Sequence, residues 1–375
     1  MSILNINRLG FVLCFFFSGT IISAAQDQQL ESRPLIKFVN EYVIPAKLEV
    51  EETVVGGLSG IDFYNGQYYA ICDDEQLPRV YIMDISITDQ GIEGITIASV
   101  IHLRDYENRN YTGKLIDPED IRVHPHDGNL VWVSEGKVKK GEGPKIVLSS
   151  MDGIEKQTIT LDTWNIPVER KKGWGPRHNK TLEGLCLSNN GQSIWTAMEM
   201  PLKQDGKKPK LKDGKYPIRI SQFNKGDGKL ISQHAYMLDS IARPSLVPEG
   251  KALNGLTAIL TYDKIGFLTL ERSYSEGYMD GGNEVKIYFT SIDESSDIKD
   301  VTSLKEVEYT PMTKELLFDF STIKDSLVNG VVDNIEGICF GPDLPNGNKS
   351  LLVISDDNFQ KYGPQKTQVI LLEIE

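Results

Sequence analysis

Leu182-Glu183-Gly184-Leu185-Cys186-Leu187 returns far along the chain, almost residue for residue, as Ile335-Glu336-Gly337-Ile338-Cys339-Phe340. Each sets a Glu-Gly pair ahead of an alternating apolar run, the pattern of a β-strand with one buried face. Three more segments share the plan: Gly57-Leu58-Ser59-Gly60-Ile61-Asp62-Phe63, Pro118-Glu119-Asp120-Ile121-Arg122-Val123 and Leu253-Asn254-Gly255-Leu256-Thr257-Ala258. Their polar starts fall at 59, 119, 183, 254 and 336, spaced by 60, 64, 71 and 82 residues. Self-similarity at such intervals marks a repeat architecture.

Four of the five runs end in a Gly/Asn turn: Asn65-Gly66, Asp127-Gly128-Asn129, Asn190-Gly191 and Asn346-Gly347. Such turns join antiparallel strands. A second apolar strand follows each run. Arg79–Ile87 and Ile92–Leu103 complete the first unit, Lys145–Ser150 and Lys156–Leu161 the second. Ile218–Phe223 and Leu230–Leu238 complete the third, Glu284–Ile292 and Lys314–Phe320 the fourth. The last unit has only Thr367–Ile374, while Ile36–Ile44 near the start is strand-like and unassigned. The expected fold is an all-β propeller of four-stranded blades, closed by the N-terminal strand joining the C-terminal blade. Five blades are counted; the long loops at 162–180 and 200–217 leave room for a sixth. A β-sandwich is the alternative, and repeats across nearly the whole chain argue against it.

The first 25 residues read differently. Arg8 is followed by an apolar run, Leu9 to Phe17, and small residues up to Ala25. That is the layout of a secretory signal, with cleavage expected after Ala25 and an apolar run too short for a membrane span. Residues 26–375 are then one domain with no membrane span, periplasmic or extracellular. With 40 basic and 53 acidic side chains the net charge is −13. Nucleic acid is a poor partner for such a chain. The Lys- and Gly-rich segment 204–215 reads as a solvated loop. Cys72, Cys186 and Cys339 lie in apolar runs and read as buried free thiols.

In a propeller the first strand of each blade lines the channel, and in a hairpin the start of one strand lies beside the end of the next. The polar starts Ser59, Glu119, Glu183, Asn254 and Glu336 therefore share a ring with the second-strand ends. Those ends are Asp73, Asp74, Glu135, Glu199, Glu271, Asp356 and Asp357. Like charges at close range disfavour joint ionisation unless a cation neutralises them. A divalent cation, Ca²⁺ by its preference for oxygen ligands, suits Glu119, Glu183, Glu336 and Asn254. Arg272 could grip a substrate anion. The structural alternative treats the Glu-Gly pairs as strand-start devices and the Asp residues as turn formers. Arg177, His178 and Lys180, on the loop before the third unit, reach the same face as candidates for substrate contacts, with a solvated loop the leading reading for each.

The runs Asn179-Lys180-Thr181-Leu182-Glu183-Gly184, Leu270-Glu271-Arg272-Ser273-Tyr274 and Asp333-Asn334-Ile335-Glu336-Gly337-Ile338, with Ser355-Asp356-Asp357-Asn358-Phe359, resemble the phytase-like family, the "esterase-like activity of phytase" group. The resemblance spans roughly residues 50–375. It implies a propeller, export, and hydrolysis of esters or phosphoesters. It carries over Glu183, Glu271, Arg272, Glu336, Asp356 and Asp357 as motif positions. Ser59-Gly60 and Asn254-Gly255 depart from the Glu-Gly pattern. The expectation is a metal-dependent hydrolase of small anionic phosphate or carboxylic esters: Glu119, Glu183, Asn254 and Glu336 hold the cation, Glu271 or Asp356 activates water, and Arg272 binds the anion. No GxSxG motif supports a serine esterase. A non-enzymatic binding propeller with a structural cation is the second reading, and a lactonase the third.

Overall fold

The computed structural model describes residues 34–111, 115–160 and 172–375. The expected leader, residues 1–25, lies outside them. The described chain opens with β1 (Ile36–Ile44) and a short ribbon of β2 (Glu49–Val50) and β3 (Thr53–Val54). The first blade is β4 (Leu58–Tyr64), β5 (Gln67–Cys72), β6 (Arg79–Thr88) and β7 (Gly91–His102). The second is β8 (Pro118–Val123), β9 (Leu130–Ser134), β10 (Lys145–Ser149) and β11 (Glu155–Thr160). The third is β12 (Leu182–Leu187), β13 (Ser193–Met198), β14 (Pro217–Asn224) and β15 (Leu230–Met237). The fourth is β16 (Ala252–Thr261), β17 (Gly266–Ser275), β18 (Asn283–Ser291) and β19 (Thr313–Asp319).

The fifth blade takes β20 (Ile335–Phe340), β21 (Lys349–Ser355) and β22 (Thr367–Ile374) from the end of the chain. Its outer strand is β1, paired antiparallel from Ile36 opposite Ile374 to Ile44 opposite Thr367. The inner strands touch in the cyclic order β4, β8, β12, β16, β20 and back to β4. Five four-stranded sheets thus close a ring, a β-propeller, and no sixth blade occurs among the described residues. Sharing the last blade between both chain ends gives it a full set of four strands and covers the outer edge of β22 with β1.

The Glu-Gly pair has a local cause. Every inner strand carries a β-bulge, falling between Leu58 and Gly60, Pro118 and Ile121, Leu182 and Gly184, Leu256 and Ala258, and Ile335 and Gly337. The extra residue has no partner opposite, and the bulge re-aims its side chain. It is Ser59, Glu183, Thr257 and Glu336 in four blades, and Glu119 with Asp120 in the second. In the first, third and fifth blades the following glycine lets a neighbouring inner strand pass close by. A Cβ on Gly60 would stand 2.6 Å from Asp120 Cα, and one on Gly337 3.1 Å from Gly60 Cα. In the fourth blade the ladder puts Thr257 at the glutamate position, not Asn254 as the sequence repeat suggests. Thr257 Oγ1 donates to Ile335 O and Ser59 Oγ to Pro118 O, so each hydroxyl serves the strand that presents the next blade's glutamate.

Below the mouth the axis is filled. Arg122, 3% exposed, donates to the carbonyls of Ile61 (2.9 Å), Ile259 (3.0 Å) and Ile338 (3.2 Å). The mouth is therefore a cup with a closed floor. Cys72, Cys186 and Cys339 are buried and free, and burial pushes the Cys186 thiol up to about 12, so it stays unionised.

Candidate functional site at the channel mouth

The cup is a cavity of about 270 Å³. The bulges deliver Glu119, Glu183 and Glu336 to it. The second strands deliver the rest. Leu58, Pro118, Leu182, Leu256 and Ile335 pair with Cys72, Ser134, Met198, Glu271 and Ser355. One residue further on stand Asp73, Glu135, Glu199, Arg272 and Asp356. The five blades thus present four carboxylates and one guanidinium at one equivalent position.

Two groups of carboxylate oxygens lie within 4.8 Å of one another: Asp117, Glu119 and Glu135, and Glu135, Glu183 and Glu199. Glu135 belongs to both. It is oriented from outside, accepting the Thr181 N–H at 2.6 Å while Thr181 Oγ1 donates to its carbonyl at 2.9 Å. Asp117 is held by Lys137, whose ammonium also reaches Glu75 at 2.7 Å. Lys180 Nζ stands 2.9 Å from Glu199 Oε2. Arg272 Nη2 lies 3.3 Å from Glu336 Oε1 and 3.8 Å from Glu199 Oε1. Asn334 orients this side. Its oxygen accepts from Arg272, and its amide donates to Glu336 at 3.1 Å and Asp356 at 3.2 Å.

Burial and mutual repulsion push Asp73, Asp117, Glu119, Glu135, Glu183 and Asp356 toward their neutral forms. Burial, then Glu183, drives Glu119 well above the ordinary carboxylate range, and burial, then Glu199, does so for Glu183. Burial lifts Asp73 and Glu135 to about 8 and Asp117 to about 6, the last in spite of Lys137. Asp356 is raised by burial and then by Asp73. The surrounding acids hold Lys180 and Arg272 firmly protonated, although burial opposes it.

The structure brings Glu119, Glu183, Glu336, Arg272 and Asp356 together as expected from sequence. It does not bring Asn254 and Glu271 there. Glu271 faces the other side of the β17 strand, accepting from Tyr236 Oη (2.6 Å), Asp239 N (3.1 Å), Asn254 Nδ2 (2.7 Å) and the Lys314 ammonium. The bulge at Thr257 causes this: it displaces the register, so Arg272 takes the place that Glu199 has in the third blade. Asp357 serves the turn, accepting from Gly57 N and Phe359 N, each at 3.0 Å. Arg177 ties loops together through Pro201 O and Gly206 O. Lys180, expected to be solvated, lines the cup. Asp117 and Asn334 were not foreseen. Each sits one residue before its quoted repeat, where Thr181 stands in the third blade.

Fold and mouth together define a five-bladed propeller with an acidic, cation-competent cup. The sequence profile of the phytase-like family, described as esterase-like activity of phytase, matches residues 53–359, and the chain belongs to that family. No curated protein sequence matches it. Among solved structures it is similar to a protein from Lactobacillus plantarum (10% identity, 86% of this chain and 89% of that one, TM-score 0.35). It is also similar to a GH43 β-1,3-galactosidase with galactodeoxynojirimycin (9% identity, 88% and 93%, TM-score 0.42). A third is a K499G mutant of NanB sialidase from Streptococcus pneumoniae (9% identity, 90% and 56%, TM-score 0.35). No helix among the described residues is long and apolar enough to cross a membrane.

Proposed function

We propose that this protein is an exported, cation-dependent hydrolase of small anionic phosphate or carboxylic esters, working at the channel mouth. The observation that carries the reading is the sharing of Glu135 between two carboxylate groups with Arg272 and Lys180 beside them. The donor set suits a hard cation, Ca²⁺ by preference: the candidate ligands are all carboxylate oxygens, buried except for the half-buried Glu119, and crowded within each group. Glu119, Glu135 and Glu183, with Asp117 and Glu199, would hold it. Glu336 faces Arg272 instead, and Asn254 lies outside the cup. A bound cation there supplies a Lewis acid for the ester oxygen and lowers the pKa of bound water.

The chain's own residues divide the remaining work. Arg272, steadied by Asn334, offers a planar fork to the anionic group. Lys180 adds a point charge on the opposite side of Glu199. Asp356 Oδ1 accepts the Asn358 N–H at 2.6 Å and Oδ2 the Asn334 amide, which orients the carboxylate and supports its assignment here as the acceptor for a proton from attacking water. Glu271, committed to Tyr236 and Lys314, takes no part. The family supports ester chemistry, and the leader reading supports export. The test is turnover of a phosphomonoester and a carboxylic ester panel with and without a chelator, alongside metal analysis and N-terminal sequencing of the exported chain. Chelator-insensitive turnover removes the cation from the reaction. Bound metal with no turnover on any ester leaves a binding propeller.

A further inference from the structure

Two stretches of chain outside the blade strands are firmly built. Residues 199–216 link β13 to β14. Residues 292–312 link β18 to β19 by a detour across the outer edge of the third blade, where Ile298 N–H donates to Gln233 O (2.7 Å) and Met312 N–H to Ala235 O (2.8 Å). The two apexes are bonded together: Ser303 Oγ to Gln204 O, Leu304 N to Asp205 Oδ1 and Lys305 Nζ to Lys203 O, each at 3.0 Å. Asp205 also accepts from Arg219 Nε and Nη2, at 2.7 and 2.9 Å, in a wholly buried pair. Removing one partner of such a pair is strongly destabilising, so the pair fixes where the apexes stand.

Between the apexes runs an open groove of about 960 Å³, larger than the mouth cavity of about 270 Å³. Lys207, Lys210, Lys215 and Lys305 line it, over a floor that includes the buried Tyr216 and Leu304. The charge of Asp205 is taken by Arg219, leaving Glu308 as the one other acid in the lining. This is a basic groove on a chain of net charge −13. Lysines spread over two segments act as separate point charges, unlike the planar fork that arginine offers a single phosphate. The groove therefore suits anionic groups spaced along a chain. Its lining contains no Asn, Gln, Ser, Thr or Trp, and its polar side chains are four lysines, two acids and two tyrosines, so charge dominates what it can recognise. An apolar floor between basic rims matches alternating acidic and apolar side chains.

We propose that this groove docks an extended segment of a partner protein in which acidic and apolar residues alternate. The test uses the full chain against a library of short peptides that alternate Asp or Glu with apolar residues. Library selection is followed by titration calorimetry, with polyglutamate and an anionic polysaccharide as competitors. The comparison protein carries Lys207→Glu, Lys210→Glu and Lys215→Glu, all exposed positions. The expected result is enrichment on the native chain, binding that weakens with salt, and an affinity loss of about tenfold or more in the charge-reversed protein. Glu183→Gln should bind the same peptides unchanged, which separates this groove from the mouth. Equal enrichment on both proteins overturns the proposal. So does polyglutamate binding as tightly as the selected peptides, or the polysaccharide binding in their place.

Discussion

Arg122 and Asp120 form a buried ion pair, 2.8 Å apart, that reaches all five blades from one strand. Arg122 holds carbonyls of the first, fourth and fifth blades, and Asp120 Oδ2 accepts the Leu185 N–H of the third at 2.9 Å. Burial lifts Asp120 to about 7 even with the guanidinium beside it. Taking away one partner leaves the other charge stranded among carbonyls and apolar walls. Arg122→Met should cost about 3–5 kcal/mol of stability, read as a lower midpoint in urea unfolding. Asp120→Asn should cost less, because an amide can still accept from Leu185. A loss under about 1 kcal/mol for Arg122→Met would mean that the axis does not hold the ring.

A second expectation concerns pH. Asp73 and Glu135 titrate near 8 and Asp117 near 6 in the folded chain, chiefly through burial. Unfolding returns them to about 4. Between those values the folded state holds protons that the unfolded state has released. These groups therefore favour folding at low pH, and that contribution is lost as pH rises from about 4 toward 8. In chelator, the melting temperature should fall from pH 5 to pH 8. Calcium should flatten the slope, since a cation lets the carboxylates ionise without repulsion. At about a hundred times its dissociation constant, calcium should add about 2.7 kcal/mol. Glu183→Gln should remove most of that gain. A melting temperature in chelator that does not decline over this range would contradict the crowded-acid account.

Much of this was legible from residue order. The five hairpins, the closing strand Ile36–Ile44 and the meeting of Glu119, Glu183 and Glu336 follow from alternation and spacing, because period and turn chemistry are local. The fourth blade was not legible. Asn254-Gly255 imitates Glu183-Gly184 in sequence, but the bulge sits at Thr257, and a shift in register changes which side chain reaches the axis. Nothing short of the ladder distinguishes Asn254 from Thr257. Lys180 was misjudged for a related reason. A lysine in a polar loop usually faces water, and only the acids converging from the second and third blades draw this one inward.

Arg272 is the single cation among five equivalent positions, which gives the cup its polarity. It faces Glu336 and Asn334 on one side and Glu199 on the other. Lysine keeps the charge but not the fork. Arg272→Lys should lower kcat/KM for an anionic ester by about a hundredfold, while calcium-dependent stabilisation persists. The same fall on a neutral ester would indicate a role in holding Glu336 and Asp356 instead of the substrate.

Glu271 separates the structural reading from the sequence reading most sharply. As the water-activating base, its loss would abolish turnover. In the structure its carboxylate is occupied by Tyr236, Asn254, the Asp239 N–H and Lys314, and the Lys314 ammonium also lies 4.1 Å from the Tyr288 ring centroid. Glu271→Gln keeps the shape and removes the charge that faces this ammonium. It should lower stability by about 2–3 kcal/mol with kcat nearly unchanged. Asp356→Asn should do the reverse, cutting kcat by about 10²-fold or more with little effect on the unfolding midpoint. Paired kinetics and denaturation on the two variants decide between the sites. If Glu271→Gln is inactive but as stable as the native chain, the chemistry lies on the blade-four network and not in the mouth.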